Sequence, residues 1–281
     1  MPFLQLIRPL QWLKNLMIFF PPFLGGAIFN QVVAQRAVAT FVSFSLASGV
    51  AYIVNDICDR ENDRLHPGKK SRPLASGSVT VAEASLFAFI LALLAVTLAF
   101  PIPAPFMSHI FFYLIITSGY SLFLKNYPLA DIFCISAGFL LRLEAGGAAF
   151  GVPVSEWLFL SVFLLSIFLS SGKRLGEKSH LGATAASHRR ALVAYPDGFL
   201  QSAMHMTGGA ALVTYTMYVI ACGSDILVYS VPFCCFGLLR YIFIVHSGRG
   251  GDPTELLLKD IPLLIVGLVW ALMVGWGIYG P

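Results

Sequence analysis

The sequence predicts an all-α integral membrane protein. Of its 281 residues, 57% are hydrophobic and only 11% are charged, which is too few for a soluble domain, where charged residues make up about 25%. Nine stretches approach the roughly 20 apolar residues that a helix needs to cross the hydrocarbon core. Almost all lysines and arginines lie in alternate connections between these stretches, as the positive-inside rule requires of a multi-pass protein.

The first four predicted spans lie in the N-terminal half of the chain. The first contains Pro21 and Pro22, which a membrane helix tolerates when neighbouring helices satisfy the freed backbone groups. The second ends in a run of acidic residues, and prolines separate the third from the fourth. These spans run over 16–34, 37–57, 80–100 and 106–124.

The fifth predicted span is the least uniform, because Arg142 and Glu144 interrupt it. We interpret these residues as an internally satisfied ion pair; the alternative is a polar cavity lining or a subunit contact. Gly146 and Gly147 would permit a close helix contact, inside the chain or in a homodimer or homotrimer. The last five spans run over 129–150, 155–172, 201–222, 226–245 and 261–279.

The distribution of positive charge predicts the topology. With nine spans, the N-terminus and every second connection share one side of the membrane, and that side collects all of the 18 lysines and arginines except Arg36 and Arg142. We therefore expect a cytosolic N-terminus and an external C-terminus in a bacterial inner membrane. The net charge of +4 reflects this topology, so we expect membrane lipids and no nucleic acid as partners.

Most of the 14 acidic residues lie on the same predicted side as the cations. Topology does not require them there, so they indicate a polar chamber at the cytosolic mouth of the protein. We predict a single domain, residues 1–281, in which cytosolic loops near 58–79, 173–200 and 246–260 cap this chamber.

The second span ends in NDICDRENDRLHPGKKSRPLASG, residues 55–77. If the helix continues past Asn55, then Asp56, Asp59 and Asp63 lie at i, i+3 and i+7 and share one face. Three like charges on one face repel each other unless a cation holds them, and Mg²⁺ prefers carboxylate oxygens. The cluster predicts a Mg²⁺ site for a diphosphate. The alternative is a solvated face paired with nearby cations.

A run of cations follows the acidic cluster in the same segment. Metal on one side and guanidinium on the other would neutralise a diphosphate leaving group. We therefore predict Asp56, Asp59, Asp63 and Arg72 as catalytic residues, and Asn55, Lys69 and Lys70 as substrate-binding residues.

This segment resembles the first signature, N-D-x-x-D-x-x-x-D, of the UbiA superfamily of intramembrane prenyltransferases. The resemblance extends to RPLQWLKN (8–15) and to YSLFLKN, which contains Tyr120 and Lys125. It implies nine transmembrane helices around a cavity open to the cytosolic side, and Mg²⁺ bound with a diphosphate. It also adds Tyr120 and Lys125 to the candidate substrate-binding residues.

The second acidic signature of that superfamily, D-x-x-x-D, has no counterpart in this sequence. The segment SGKRLGE (171–177) places Lys173, Arg174 and Glu177 where a second acidic pair would be expected. A pair of cations indicates an additional anion, which a hydrocarbon chain would not supply.

Together with DIFCISAGFLLRLEAGGAAFG (131–151) and GDPTELLLKD (251–260), these segments resemble the decaprenyl-phosphate phosphoribosyltransferase branch of the superfamily. The resemblance implies Mg²⁺-dependent transfer of 5-phosphoribose from 5-phosphoribosyl diphosphate (PRPP) to a polyprenyl phosphate. The candidates for holding the 5-phosphate and the lipid phosphate are Lys14, Lys125, Lys173 and Arg174.

Two other functions stay open. An aromatic prenyltransferase would use a prenyl diphosphate, and the missing second acidic signature argues against it. A transporter or lipid-binding protein would use the same cavity, but the chain has no convincing internal repeat of the kind common in transporters.

Overall fold

The computed structural model describes residues 2–65, 68–181, 190–248 and 252–280. All regular elements in these ranges are helices, which confirms the all-α prediction. Parts of the three predicted loops, residues 66–67, 182–189 and 249–251, lie outside the described residues.

In chain order the elements are α1 (Pro2–Ile7), a 3-10 helix (Pro9–Phe19), α2 (Phe20–Leu24), α3 (Gln31–Cys58), α4 (Arg60–Leu65), α5 (Pro73–Ser76), α6 (Val81–Ala99), α7 (Ala104–Leu122), a 3-10 turn (Leu124–Asn126), α8 (Ala130–Phe150), α9 (Glu156–Leu181), α10 (Arg190–Ala194), α11 (Phe199–Cys222), α12 (Asp225–Val228), α13 (Val231–His246), α14 (Pro253–Lys259) and α15 (Ile261–Tyr279).

Several of these helices are suited to a bilayer. Within the described residues, six helical segments are long and apolar enough to cross a membrane. Two more helices, α7 and α11, match predicted spans and are long enough, but they are less apolar. The chain is therefore a multi-pass membrane protein, while the count of nine spans stays a prediction.

The predicted first span, 16–34, is wrong. The 3-10 helix occupies its first residues, α2 ends at Leu24, and a turn with Gly26 at φ 71° precedes α3 at Gln31. The pair Pro21–Pro22 removes two backbone donors, and Gly26 adopts a backbone conformation that other residues disfavour. The segment is apolar as predicted, but these residues interrupt the helix.

The helices form two compact units, one of residues 2–20 and 28–152 and the other of residues 21–27 and 153–280. In the first unit, α3, α7, α8 and the 3-10 helix supply a core in which Phe44, Phe106, Ala145 and Ile18 are buried. In the second unit, α9, α11 and α13 pack around Phe168, Met204 and Tyr241. The predicted single domain of residues 1–281 stays a prediction.

Arg142 lies inside the first unit with 5% of its surface exposed. Its Nε donates to Asn15 Oδ1 at 2.8 Å, its Nη1 to the Gly138 carbonyl at 2.8 Å and its Nη2 to the Tyr113 hydroxyl at 2.9 Å. The guanidinium also lies over the Tyr113 ring, 4.7 Å from its centroid. The predicted ion pair with Glu144 is wrong, because neutral acceptors and an aromatic face satisfy this buried charge.

Asn15 connects this network to α3. Its Nδ2 donates to Ser45 Oγ at 3.0 Å, and Ser48 Oγ donates to its Oδ1 at 3.3 Å. Asn15, Ser45 and Ser48 are buried. The network therefore ties the 3-10 helix to α3, α7 and α8 inside an otherwise apolar core.

Gly146 permits the closest approach in this unit. A Cβ at this position would lie 2.7 Å from the carbonyl carbon of Ile18 and 2.9 Å from its Cα. The small residue anticipated for a helix contact is thus used within the chain, where α8 meets the backbone of the 3-10 helix.

Gly146→Ala is expected to destabilise the protein by about 1–3 kcal/mol, because the new methyl group must displace backbone rather than a flexible side chain. Gly209→Ala is the matched control, since a Cβ there would meet nothing within 4 Å. Thermal melting of detergent-purified variants checks this. Equal melting temperatures for the two variants would contradict the packing described for Gly146.

Candidate functional site

Asp56 and Asp63 converge on one guanidinium. Arg72 Nη1 donates to Asp63 Oδ2 at 2.6 Å and to Asp56 Oδ1 at 3.2 Å. The two aspartates are nearly buried, at 2% and 4% exposure. Their carboxylates thus lie within reach of a single atom, and that brings two of the three predicted acidic residues together.

The sequence explains how Arg72 reaches this position. Pro73 is the first residue of α5, and a residue before proline is restricted to extended backbone. Arg72 accordingly has φ −61° and ψ 145°. The extended residue precedes the helix and directs its side chain back to α3 and α4.

Arg8 is a second cation on Asp56, and its Nη2 donates to Asp56 Oδ1. Its guanidinium also lies over the Tyr52 ring, 5.2 Å from the centroid. Arg8 has φ 49° and ψ 68°, a left-handed conformation at the start of the 3-10 helix. Sequence reasoning quoted RPLQWLKN but missed Arg8. Its place in that motif, near a predicted acidic cluster, was the available signal.

Asp59 faces a different partner from the other two aspartates. The α3 helix ends at Cys58, Asp59 has φ −94° and ψ 1°, and α4 begins at Arg60. Lys125 Nζ donates to Asp59 Oδ1 at 2.5 Å, and Lys125 is only 9% exposed. The predicted gathering of three carboxylates around one cation is therefore wrong, because Asp59 pairs with Lys125 while Asp56 and Asp63 pair with Arg72.

Asn55 ties the end of α3 to α7. Its Oδ1 accepts from Ser121 Oγ at 3.3 Å, and Ser121 follows Tyr120 directly. Tyr120, Lys14 and Lys69 are half-buried, whereas Lys70 is exposed. These four residues belong to the first unit, and their assignment to substrate stays a prediction.

The geometry fits a Mg²⁺ site that is completed by a substrate. Among the residues that the structure describes, no group of three or more His, Cys, Asp or Glu side chains is arranged to hold a metal ion. Mg²⁺ is commonly bound by one or two carboxylates together with phosphate oxygens. Asp56 and Asp63 supply such a pair of hard oxygen ligands, while Asp59 is held by Lys125.

The predicted cations of the second unit lie on a helix. The α9 helix continues to Leu181, so Lys173, Arg174 and Glu177 precede the loop that was predicted to begin at 173. Arg174 is 2% exposed, and its Nη1 donates to Glu177 Oε2 at 2.6 Å. Arg174 and Glu177 form this ion pair at the helical spacing i, i+3.

Lys173 is bound to the segment before the last helix. Its Nζ donates to Asp252 Oδ2 at 2.7 Å, while Asp252 Oδ1 accepts from the backbone of Thr254 at 3.1 Å and of Glu255 at 3.4 Å. Asp252 is therefore the N-cap of α14. The loop predicted near 246–260 thus contains the short helix α14, and the ion pair of Asp252 with Lys173 connects its start to α9.

A cavity of about 340 Å³ also lies in the second unit, and its lining includes Lys178, Asp197, Gln201 and His246. Lys178 Nζ donates to Asp197 Oδ1 at 2.8 Å. This hydrogen bond and the charge of the ammonium hold the pKa of the Asp197 carboxyl below its ordinary value. Sequence reasoning had selected none of these residues.

Comparisons with known proteins find relatives along almost the whole chain. Residues 19–261 match the UbiA prenyltransferase family. A Corynebacterium glutamicum protein named decaprenyl-phosphate phosphoribosyltransferase is 33% identical over 291 residues, covering 98% of this chain and 86% of the relative. A Mycobacterium tuberculosis protein of the same name is 32% identical over 278 residues, covering 96% and 91%.

A solved structure has the same fold. The chain resembles a UbiA homolog from Archaeoglobus fulgidus bound to GPP and Mg²⁺, with a TM-score of 0.76, 22% identity and coverage of 100% of both chains. At this identity the likeness concerns the fold alone, and it agrees with the all-helical architecture described above.

Lys125→Met is expected to destabilise the protein by about 1–3 kcal/mol, because it leaves the Asp59 carboxylate without its cation in a poorly hydrated place. The double variant Asp59→Asn/Lys125→Met should recover most of this loss. Lys259→Met breaks the exposed pair with Glu255 and should cost less than about 1 kcal/mol. Thermal melting compares the variants, and a Lys125→Met protein that melts like Lys259→Met would contradict the expectation.

Proposed function

Because the chain belongs to the UbiA prenyltransferase family, a family of membrane transferases, we propose that it transfers 5-phosphoribose from PRPP to a polyprenyl phosphate. The observation that carries this proposal is the pair Lys173 and Arg174, which replaces the second acidic signature and includes a fully buried guanidinium. The names of the relatives support the same reaction. A donor with a phosphate besides its diphosphate would offer these cations an anion in place of Asp252 and Glu177, to which they donate in the structure.

Asp56 and Asp63 are the proposed ligands of the metal. Bound there, Mg²⁺ would neutralise oxygens of the diphosphate and make it a better leaving group. Arg72 and Arg8 donate to these carboxylates in the structure, so their N–H groups lie beside the proposed diphosphate site. We propose that these N–H groups donate to phosphate oxygens instead of the carboxylates as negative charge develops on the leaving group.

At the sugar carbon C1, the proposed reaction breaks one bond and forms another. The bond from C1 to the diphosphate oxygen breaks, its electron pair leaves with the diphosphate, and an oxygen of the lipid phosphate bonds to C1. The acceptor is already an anion at neutral pH, so no strong general base is needed. Side chains therefore contribute by binding, orientation and charge stabilisation.

The remaining phosphates require further cations. Lys14, Lys125, Lys173 and Arg174 are the proposed ligands of the 5-phosphate and the lipid phosphate. Glu177 would orient the Arg174 guanidinium through their hydrogen bond. Tyr120, Asn55, Lys69 and Lys70 complete the proposed substrate contacts.

We also propose that the site opens to the cytosol of a bacterial cell, with the N-terminus on that side of the inner membrane. The positive-inside rule supports this orientation, and PRPP is a soluble cytosolic metabolite. A cap formed by the loops near 58–79, 173–200 and 246–260, and a homodimer or homotrimer, stay predictions.

Purified protein in lipid nanodiscs, supplied with Mg²⁺, labelled PRPP and a polyprenyl phosphate, is expected to form a lipid-extractable phosphoribose. Chelation of divalent cations should abolish the product. Asp56→Asn should lower the rate by about 100-fold or more, because it removes a charge that holds the metal. The rate of label transfer into the lipid phase measures each effect.

Glu61→Gln is the matched control in the same segment, since Glu61 pairs with Arg64 and not with the proposed site. Its rate should stay within a few-fold of the wild type. Turnover of a prenyl diphosphate with an aromatic acceptor, and no transfer from PRPP, would refute the proposal in favour of prenyl transfer.

A further inference from the structure

Arg60 is a charged residue beside the aspartates that lacks a partner. Within the described ranges, three buried side-chain atoms have no hydrogen-bond partner: Thr40 Oγ1, Ser171 Oγ and Arg60 Nε. Two of these are neutral hydroxyls. Arg60 is a half-buried guanidinium that forms no ion pair or hydrogen bond with any described residue, and an unpaired buried donor in a native fold calls for a functional explanation.

The position of Arg60 relates it to Asp56 and Asp63. It lies four residues after Asp56 and three before Asp63, and these spacings put side chains on one helical face. Backbone bonds from Asp59 N to the Asn55 carbonyl at 2.9 Å, and from Asp63 N to the Asp59 carbonyl at 2.8 Å, continue the helical path through the break. Arg60 is therefore on the side of the paired carboxylates, although neither accepts from it.

The charges around the cluster show why Arg60 matters. Asp56, Asp59 and Asp63 are matched by three cations, Arg8, Arg72 and Lys125. Arg60 adds one positive charge that no described carboxylate offsets. A diphosphate bears more negative charge than one Mg²⁺ neutralises, so the complex arriving at Asp56 and Asp63 is itself an anion.

We propose that Arg60 binds the diphosphate of the donor, with its N–H fork donating to non-bridging phosphate oxygens. The planar guanidinium suits two phosphate oxygens at once. The inference rests on the proposed function and deepens it, because it adds a diphosphate ligand that the acidic signature does not include.

Arg64 provides an internal comparison. It lies one helical turn after Arg60 in α4, but its Nη1 donates to both oxygens of Glu61 at 3.0 and 2.9 Å, and its Nε to the Ala75 carbonyl at 3.3 Å. Its donors are already used for local structure. Two arginines in the same short helix thus have different roles.

The test is the binding of inorganic diphosphate, with Mg²⁺ present, to the full-length protein in detergent, measured by calorimetry. Arg60→Gln is expected to weaken binding by about 10- to 100-fold, the loss typical of a hydrogen bond to a charged group. Arg60→Lys keeps the charge but loses the forked pair of N–H donors, so its affinity for diphosphate should lie between those of the wild type and Arg60→Gln. Arg64→Gln should bind like the wild type.

An Arg60→Gln protein that binds diphosphate as tightly as Arg64→Gln would overturn the inference. If Arg60→Gln does not fold, as judged by thermal melting, Arg60→Lys decides instead, and unchanged affinity there overturns it. Failure of the proposed function would give a different result. The wild type would then transfer no phosphoribose, but the Arg60 variants would still bind diphosphate more weakly than the wild type, because a prenyl diphosphate carries the same diphosphate group.

Discussion

The buried guanidinium of Arg142 is the interaction on which the first unit depends. Its hydrogen bonds to Asn15, Gly138 and Tyr113 join the 3-10 helix, α7 and α8. The hydrocarbon core of a bilayer holds no water to satisfy polar groups, so a charge buried within an apolar membrane helix must find its partners inside the protein. The segment that it anchors is the one that carries Arg8, and Arg8 reaches Asp56 from there.

In the candidate site, too, the aspartates are paired with cations of the same chain. Arg72 holds two carboxylates with a single nitrogen, and Lys125 neutralises the third. Exchange of these cations between carboxylates and phosphates would keep the number of unpaired buried charges small. In the proposed function, that requirement would account for the cations beside the proposed metal site, since they use the carboxylate oxygens that the metal would bind.

Helix positions were readable from the sequence because apolar length is a strong signal. The predicted spans 37–57, 129–150 and 261–279 correspond to α3, α8 and α15 within a few residues, apart from an earlier start of α3. The span at 16–34 failed, because hydropathy does not distinguish a helix from an apolar segment broken by Pro21, Pro22 and Gly26. Apolar composition indicates that a segment lies in a membrane, whereas the backbone conformation of its residues determines whether it forms a continuous helix.

The acidic and basic residues of the site were also readable, but their pairing was not. Helical spacing placed Asp59 with Asp56 and Asp63, whereas in the structure its partner is Lys125, which lies 66 residues away along the chain. Arg8 and Arg142 were missed or misassigned because their partners lie 48 and 127 residues away along the chain. Such long-range pairs depend on helix packing, which local spacing does not encode.

The left-handed backbone of Arg8 has a consequence for how this position can change. That conformation costs a non-glycine residue about 1–2 kcal/mol, and glycine would remove the cost. Glycine has no guanidinium, however, so the residue that relaxes the backbone would leave Asp56 with one cation fewer. The position is therefore a compromise, in which relief of the backbone strain would be offset by the loss of a cation from the nearly buried Asp56.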